Sequence, residues 1–593
     1  MAGNPRCDAG SNVAGDTARQ PGRPGSAAPD PTEVTPDGTP SAILKYVGDT
    51  SSATGAALSN STCDVNGDGY NDAVVGAWFW DKAPTNNIGA AYVLFGGPDV
   101  TGGSLGTPGN VDAVRIDGPN VANAFVGFAV GCVGDVNGDG LDDFGISYYT
   151  DQKTYVLFGD TNFTTLSLSS LGDRGFVVSA PVSGGNLGFS LAAVGDLNND
   201  GLDDFAVAAV VADTQGRTNN GRVWVIAGQD DIADVNVDNP VAGQVLFAID
   251  GASSEERVGV MSVIGDVNGD GVDDILLGSY TATPWGTSYA APGAAYVVWG
   301  GQSVDVDLAN LGTKGFAIYG SSRQRDRLGI SVSGLGDING DGKADLLIGA
   351  DGVTNATTGN REGGAAVVFG SAATDTVYTD PTSDTLGVYT CSGSQTLGVC
   401  ADPAEATARG YWISGDFTND SAGYSVAGLG DINGDGINDM VIGAYGYDPI
   451  NPANPPATMS GAGAAYVVFG KTDTATVKLA DVTTALGSLG YRVEGLVAGD
   501  RMGRQVAPAG DFDGNGYPDV VIGSDFAPRG GSQNGEITIL LLGPLGTTAA
   551  VTSDVAEGYV GDPITLTATV TTATQLTPAT MTTPNLDGGT VTF

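Results

Sequence analysis

Residues 135–143 read DVNGDGLDD, and six close copies of this nonapeptide recur along the chain. They are DVNGDGYND (64–72), DLNNDGLDD (196–204), DVNGDGVDD (266–274), DINGDGKAD (337–345), DINGDGIND (431–439) and DFDGNGYPD (511–519). A period of this length marks a repeat architecture in which each unit needs its neighbours to bury a core. The two widest gaps between copies hold insertions rich in Thr, Pro, Asn and Ser, at 371–410 and 446–462.

The surroundings of each copy recur too. Before it runs a strand of small apolar residues, as in GFAVGCVGD (127–135) or GYSVAGLGD (423–431). After it come a buried strand (DAVVGA 72–77, DLLIGA 345–350, DMVIGA 439–444), a third strand (AAYVLFG 90–96, GAAYVVWG 293–300) and a fourth (LFAIDG 246–251, GYRVEG 490–495). Such runs are short, rich in Val, Ile and aromatics, and end in Gly, which reads as strand; none has a helical period. Four antiparallel strands per repeat predict an all-β, seven-bladed β-propeller across 41–546. The chain opens on AILKYVGD (42–49), a fourth strand with no first three, and its last repeat stops at a third strand, GEITILLLG (535–543). The N-terminal strand is therefore expected to complete the last blade and close the ring, removing an open sheet edge. Residues 1–40, polar and rich in Pro, Gly and Asp, read as disordered. Residues 547–593 read as a partial immunoglobulin-like β segment, with a clean alternation at ITLTATV (564–570).

The nonapeptide carries oxygen donors at positions 1, 3 and 5, a backbone carbonyl at 7 and a carboxylate at 9. Hard oxygen ligands on a flexible loop suit Ca²⁺. The expected ligands are Asp64, Asn66, Asp68, Tyr70 and Asp72; Asp135, Asn137, Asp139, Leu141 and Asp143; Asp196, Asn198, Asp200, Leu202 and Asp204; Asp266, Asn268, Asp270, Val272 and Asp274; Asp337, Asn339, Asp341, Lys343 and Asp345; Asp431, Asn433, Asp435, Ile437 and Asp439; and Asp511, Asp513, Asn515, Tyr517 and Asp519. Tyr70, Leu141, Leu202, Val272, Lys343, Ile437 and Tyr517 would act through their carbonyls. Up to seven Ca²⁺, one per blade, are expected. A plain hairpin turn needs no carboxylate at position 9, and three clustered carboxylates repel one another without a cation. The ninth-position carboxylate also separates the loop from an EF-hand, whose last ligand comes at position 12.

With 24 basic and 68 acidic residues the formal charge is −44, so nucleic acid and anionic lipid are poor partners. The chain has no His, which excludes His-based acid–base and nucleophile systems and the commonest zinc ligand. No apolar run is long enough to span a membrane. No signal peptide is visible at the N-terminus, so either export uses another signal or the chain is a fragment. Of five Cys, the neighbours Cys391 and Cys400 either close a small disulfide loop or stay free thiols; Cys7, Cys63 and Cys132 carry no readable signal.

The seven loops, the segments Val75–Ala77, Ile348–Ala350 and Ile442–Ala444 that follow them, and the preceding pairs Gly127–Phe128, Gly188–Phe189 and Leu328–Gly329 resemble the FG-GAP repeat of integrin α-subunit heads. The resemblance covers about residues 42–543. Here every repeat carries the calcium loop, and no Pro ends the GAP triplet, so the chain looks more like a bacterial FG-GAP surface protein than an animal integrin. The resemblance implies an extracellular, non-enzymatic adhesion or binding module, monomeric within a larger surface protein. It would recognise a protein or glycan on the face opposite the calcium loops. Candidate ligand residues there are Trp78, Phe79, Trp80, Trp285, Tyr289, Tyr445 and Tyr447, with Tyr148 and Tyr149; the other reading is that these rings cap blade packing. Arg323, Arg325 and Arg327 would meet an acidic partner or simply face solvent. Two other functions stay open: a polysaccharide-active enzyme or its accessory domain, and a structural spacer.

Overall fold

The structure is a computed structural model. It describes residues 42–543 except 50, 107–111, 182–183, 231–232, 287–290, 322–324, 355–359, 383–386, 393–394, 397–398, 401, 416–418, 451–454, 456 and 528–533. Beyond these it describes only the backbone of Thr548–Ser553, Ile564–Thr571 and Thr580–Thr583, which pair as a three-stranded antiparallel sheet. The expectation of disorder over 1–40 falls outside the described residues.

The second and third strands of each repeat are the easiest to explain. Ala73–Ala77 and Ala90–Leu94 are buried at every residue, as are Ile275–Ser279 with Ala294–Val298 and Asp439–Ala444 with Ala464–Val468. Continuous apolar runs form strands covered on both faces, so sheets must pack on either side. The pairing bears this out: Ala57–Leu58, Ala73–Ala77, Ala90–Leu94 and Ala113–Asp117 form one four-stranded antiparallel unit. Equivalent units begin at the strands Val130–Gly134, Leu187–Gly195, Val260–Val263, Val332–Gly336, Val426–Gly430 and Gln505–Gly510. Seven hydrophobic clusters fill the spaces between them, six shared by two units consecutive in the chain and one joining the last unit to the first. This all-β arrangement of repeated sheets fits a β-propeller.

The last unit lacks a fourth strand of its own. Ala42–Val47 supplies it, pairing antiparallel with Glu536–Leu541 from Ala42↔Leu541 to Val47↔Glu536. Among the described residues, six of the seven neighbouring pairs are also stitched at the rim. The connection between the third and fourth strands of one unit lends a short parallel strand to the outer edge of the unit before it. Examples are Gly103–Ser104 on Tyr46–Val47, Leu166–Ser167 on Ile116–Asp117 and Val306–Asp307 on Ile249–Asp250. The sixth unit lends Val477–Lys478 to the fifth but receives no such strand on its own outer edge among the described residues. The reason is topological: the seventh unit takes its fourth strand from the other end of the chain and has no connection to lend.

The glycine near the end of the second strand, present in five of the seven units and followed by Ala or Ser, marks a close approach between units. A Cβ on Gly76 would lie 2.1 Å from the carbonyl oxygen of Gly127, which opens the next unit, and one on Gly523 would lie 2.2 Å from that of Gly55. The insertion at 371–410 is a bridge: Val377–Thr379 pairs with the outer strand Gly315–Tyr319 of the fourth unit, and Val388–Cys391 with Ala406–Ser414 of the fifth. Cys391 and Cys400 form a disulfide. A second disulfide, Cys63–Cys132, joins the first unit to the first strand of the second. The sequence reading missed it, because a 69-residue separation carries no local signal.

Tyr46 is fully buried between the first and last units, and its hydroxyl finds no partner among the described residues. Tyr46→Ala is expected to cost about 3–5 kcal/mol by opening a cavity. Tyr46→Phe, which deletes only an unsatisfied hydroxyl, should stay within about 1 kcal/mol of the parent. Denaturant unfolding of the two variants checks the pair.

Candidate metal centres

Each nonapeptide connects the first two strands of its unit, and its backbone wraps around its own acids. In the first loop, Asp64 Oδ1 accepts from the backbone N–H of Gly67 and Asp68 at 2.7 and 3.1 Å, and Oδ2 from that of Gly69 at 2.8 Å. Asn66 Oδ1 accepts from Asp68 N–H, and Asp68 Oδ1 from Tyr70 N–H. Asp135, Asp337 and Asp431 collect the same set. The sixth residue has φ between +83° and +97° in all seven loops, and at Gly69, Gly201, Gly271, Gly342, Gly436 and Gly516 a Cβ would meet only open space, so the backbone conformation itself calls for glycine there.

The ninth residue departs from the rest by being buried. Asp72 is 2% exposed; Asp143, Asp204, Asp274, Asp345, Asp439 and Asp519 are 0%. Every one makes the same two bonds. Oδ2 accepts from the N–H of the loop's second residue (Val65, Val136, Leu197, Val267, Ile338, Ile432 or Phe512) at 2.9–3.0 Å. Oδ1 accepts from an N–H just past the third strand (Gly96, Gly159, Gly228, Gly300, Gly370, Gly470 or Leu542) at 2.6–3.0 Å.

Burial pushes these carboxyls far above their ordinary range, and the acids at positions 1 and 5 generally add to the rise, while the two N–H donors pull the other way. Asp72, Asp143 and Asp519 rise to about 8, Asp274, Asp345 and Asp439 to about 7, and Asp204 to about 6. A desolvated carboxylate facing other carboxylates is stable as an anion only beside a cation. In the seventh loop, carboxylate oxygens of Asp511, Asp513 and Asp519 lie within 4.8 Å of one another, and Asp511 Oδ1 is buried without a hydrogen-bond partner among the described residues. The donor set, all oxygen, suits a hard divalent ion.

The loops also grip each other. Residue 8 of one loop reaches residue 1 of the loop before it. Asp142 Oδ2 accepts from Asp64 N–H at 2.8 Å, Asp203 Oδ2 from Asp135 N–H at 3.0 Å, and Asn71 Oδ1 from Asp511 N–H at 3.0 Å, the last joining the first unit to the seventh. The sequence reading left position 8 without a role, although five of the seven loops carry Asn or Asp there.

Five segments, 56–94, 187–226, 328–369, 422–468 and 502–540, match the FG-GAP repeat family. The chain carries five FG-GAP repeats. Integrin alpha-5 of Xenopus laevis is 29% identical over 240 residues, which is 39% of this chain and 20% of that protein. Integrin alpha pat-2 of Caenorhabditis elegans is 27% identical over 297 residues, 48% of this chain and 22% of its own. Phosphatidylinositol-glycan-specific phospholipase D of Bos taurus is 28% identical over 179 residues, 29% and 20% respectively. The chain thus spans about a fifth of the length of the curated relatives it matches.

The aromatic candidates of this FG-GAP chain divide. Trp78 and Phe79 stack at 4.5 Å, half-buried, and continue through Phe125 and Phe128 to Tyr149 and Phe189. Tyr445, in the sixth unit, lies edge-on to Tyr424 at 5.0 Å. Trp80, Trp285 and Tyr447 stand apart in packing roles. Trp80 is buried, bonded to Asp49 and covered by Arg115; Trp285 bonds to Gly320 O and packs on Tyr319 and Tyr378; Tyr447 is buried under Arg492. Tyr148 is buried, Arg325 is exposed, and Arg327 pairs with Asp351 at 3.0 Å. Tyr289 and Arg323 fall outside the described residues. Among the described residues no helix is long and apolar enough to cross a membrane.

A carboxyl whose pKa is higher folded than unfolded favours the folded state at low pH, and that contribution is lost as pH rises through the folded value. Stripped of metal by EDTA, the protein should therefore melt at progressively lower temperature as pH rises from about 5 to about 8, the ordinary carboxyl value being about 3.9. Millimolar calcium should flatten that slope, because the cation takes over from the protons. Parallel melting-versus-pH curves with and without calcium would count against the loops as metal sites.

Proposed function

We propose that this chain is a calcium-stabilised, extracellular binding or adhesion module. In this reading the seven units are the blades of a closed propeller, sealed where Ala42–Val47 pairs with Glu536–Leu541. Each blade holds one Ca²⁺ through the five positions named above, and a protein or carbohydrate ligand binds on the face opposite the loops. The observation that carries the reading is the sevenfold repetition of a buried ninth-position aspartate beside three further oxygen-bearing side chains. Ions at extracellular modules of this type bind at roughly 10⁻⁴–10⁻³ M, which places the protein where calcium is plentiful. The integrin relatives support a protein ligand and a cell-surface setting. The partial immunoglobulin-like segment at 547–593 and a monomeric state within a longer surface protein belong to the same proposal.

A second reading, accessory module of an enzyme, draws on the phospholipase D relative. The described aspartates are largely engaged in the loops and interfaces, so catalysis would belong to another domain.

The test is a binding screen of calcium-loaded chain against immobilised extracellular proteins and glycans, with a parallel hydrolysis assay. Capture that EDTA abolishes and calcium restores is expected. Turnover of a polysaccharide or phosphodiester by the purified chain would overturn the non-enzymatic reading.

A further inference from the structure

The first strands of all seven units line a central space, which opens as two vestibules. One, where the strands end at the metal loops, has a volume of about 520 Å³; the other, where they begin, has about 320 Å³. Asn60 borders both, and its Nδ2 donates across to the Met261 carbonyl at 3.0 Å, leaving Oδ1 without a partner among the described residues.

The smaller vestibule has two kinds of wall. On one side Trp78, Phe128 and Phe189 form a half-buried aromatic stripe drawn from three units, with ring centroids 5.2 and 5.5 Å apart. On the other, Arg504 lies 3.9 Å over Tyr424, with Asp525 at 3.6 Å. Beyond it Arg327 lies 5.2 Å over Tyr280, held by buried Asp351. These guanidinium groups oppose entry of a cation, and their own acids leave them little to offer an anion. What remains for a ligand is aromatic surface with uncharged hydrogen-bonding groups at Ser190, Ser425, Gln505 and Asn60. A pocket of this size and lining suits a small amphipathic ring, apolar on one face and rich in hydroxyls at its edge.

From this we infer that the vestibule seats the terminal pyranose of a neutral glycan, its apolar face against Trp78 and Phe128. The inference rests on the reading above that ligand binds opposite the calcium loops. It adds the ligand class and the place.

The probe is a panel of neutral oligosaccharides, with acidic oligosaccharides and a basic peptide alongside. Each is titrated into the calcium-saturated full chain by calorimetry and tryptophan fluorescence. At least one neutral oligosaccharide should bind with little dependence on salt. Trp78→Ala should weaken it by about tenfold or more, while Trp78→Phe keeps most of the affinity and Trp285→Phe, which lies outside the vestibule, keeps all of it. Melting temperature and calcium content of each variant separate lost binding from lost fold. The inference is overturned if no neutral sugar binds, if Trp78→Ala binds like the parent, or if only charged probes bind. Should a protein ligand be captured equally by the parent and by Trp78→Ala, the binding-module reading survives and the glycan site does not.

Discussion

Seven buried aspartates hold this structure together. Each closes the ninth position of its loop and accepts one N–H from within the loop and another from the exit of the third strand. The first bond fixes the loop's shape and the second fixes the loop to its sheet. Burial makes each carboxylate unfavourable as an isolated anion. In the calcium-bound form proposed above, a cation in the loop would relieve that cost and so couple metal binding to sheet packing.

The loops are also linked laterally. Position 8 of one caps the first residue of the loop before it, through Asp142, Asp203 and Asn71. Distortion of one loop would therefore disturb the neighbouring interface as well as its own. The weakest seam by this measure is between the sixth and seventh units, where position 8 is Pro518 and can neither donate a backbone N–H nor offer a side-chain acceptor. At the opposite joint, the one joining the two ends of the chain, Asn71 caps Asp511 and six residue pairs of Ala42–Val47 add to the hold.

Most of the fold was legible because the repeat is strict. Nonapeptide positions, the buried second strands and the split final unit all follow from local pattern, and AILKYV at 42–47 announced its role by lacking three strands before it. What escaped was what depends on contact between units. Cys63 and Cys132 sit in different repeats, so nothing local pairs them. The same holds for position 8 of the loops, whose partner lies one unit away. The aromatic face was read only in part. Trp78 and Phe79 stack on each other, but Trp80, next in sequence, turns inward onto Asp49, because a turn sends successive side chains to different environments. Phe128 and Phe189 carry a repeat motif in the sequence, while the vestibule they border is lined by residues from several units and has no local signature.

The most direct measurement is metal content. The chain would be dialysed against EDTA, returned to millimolar calcium, freed of excess ion and weighed by native mass spectrometry. Close to seven calcium ions per chain, bound together with a rise in melting temperature, is the expected result. A chain that takes up none and melts at the same temperature would reduce the seven loops to hairpin turns and contradict the metal-centred view of this fold.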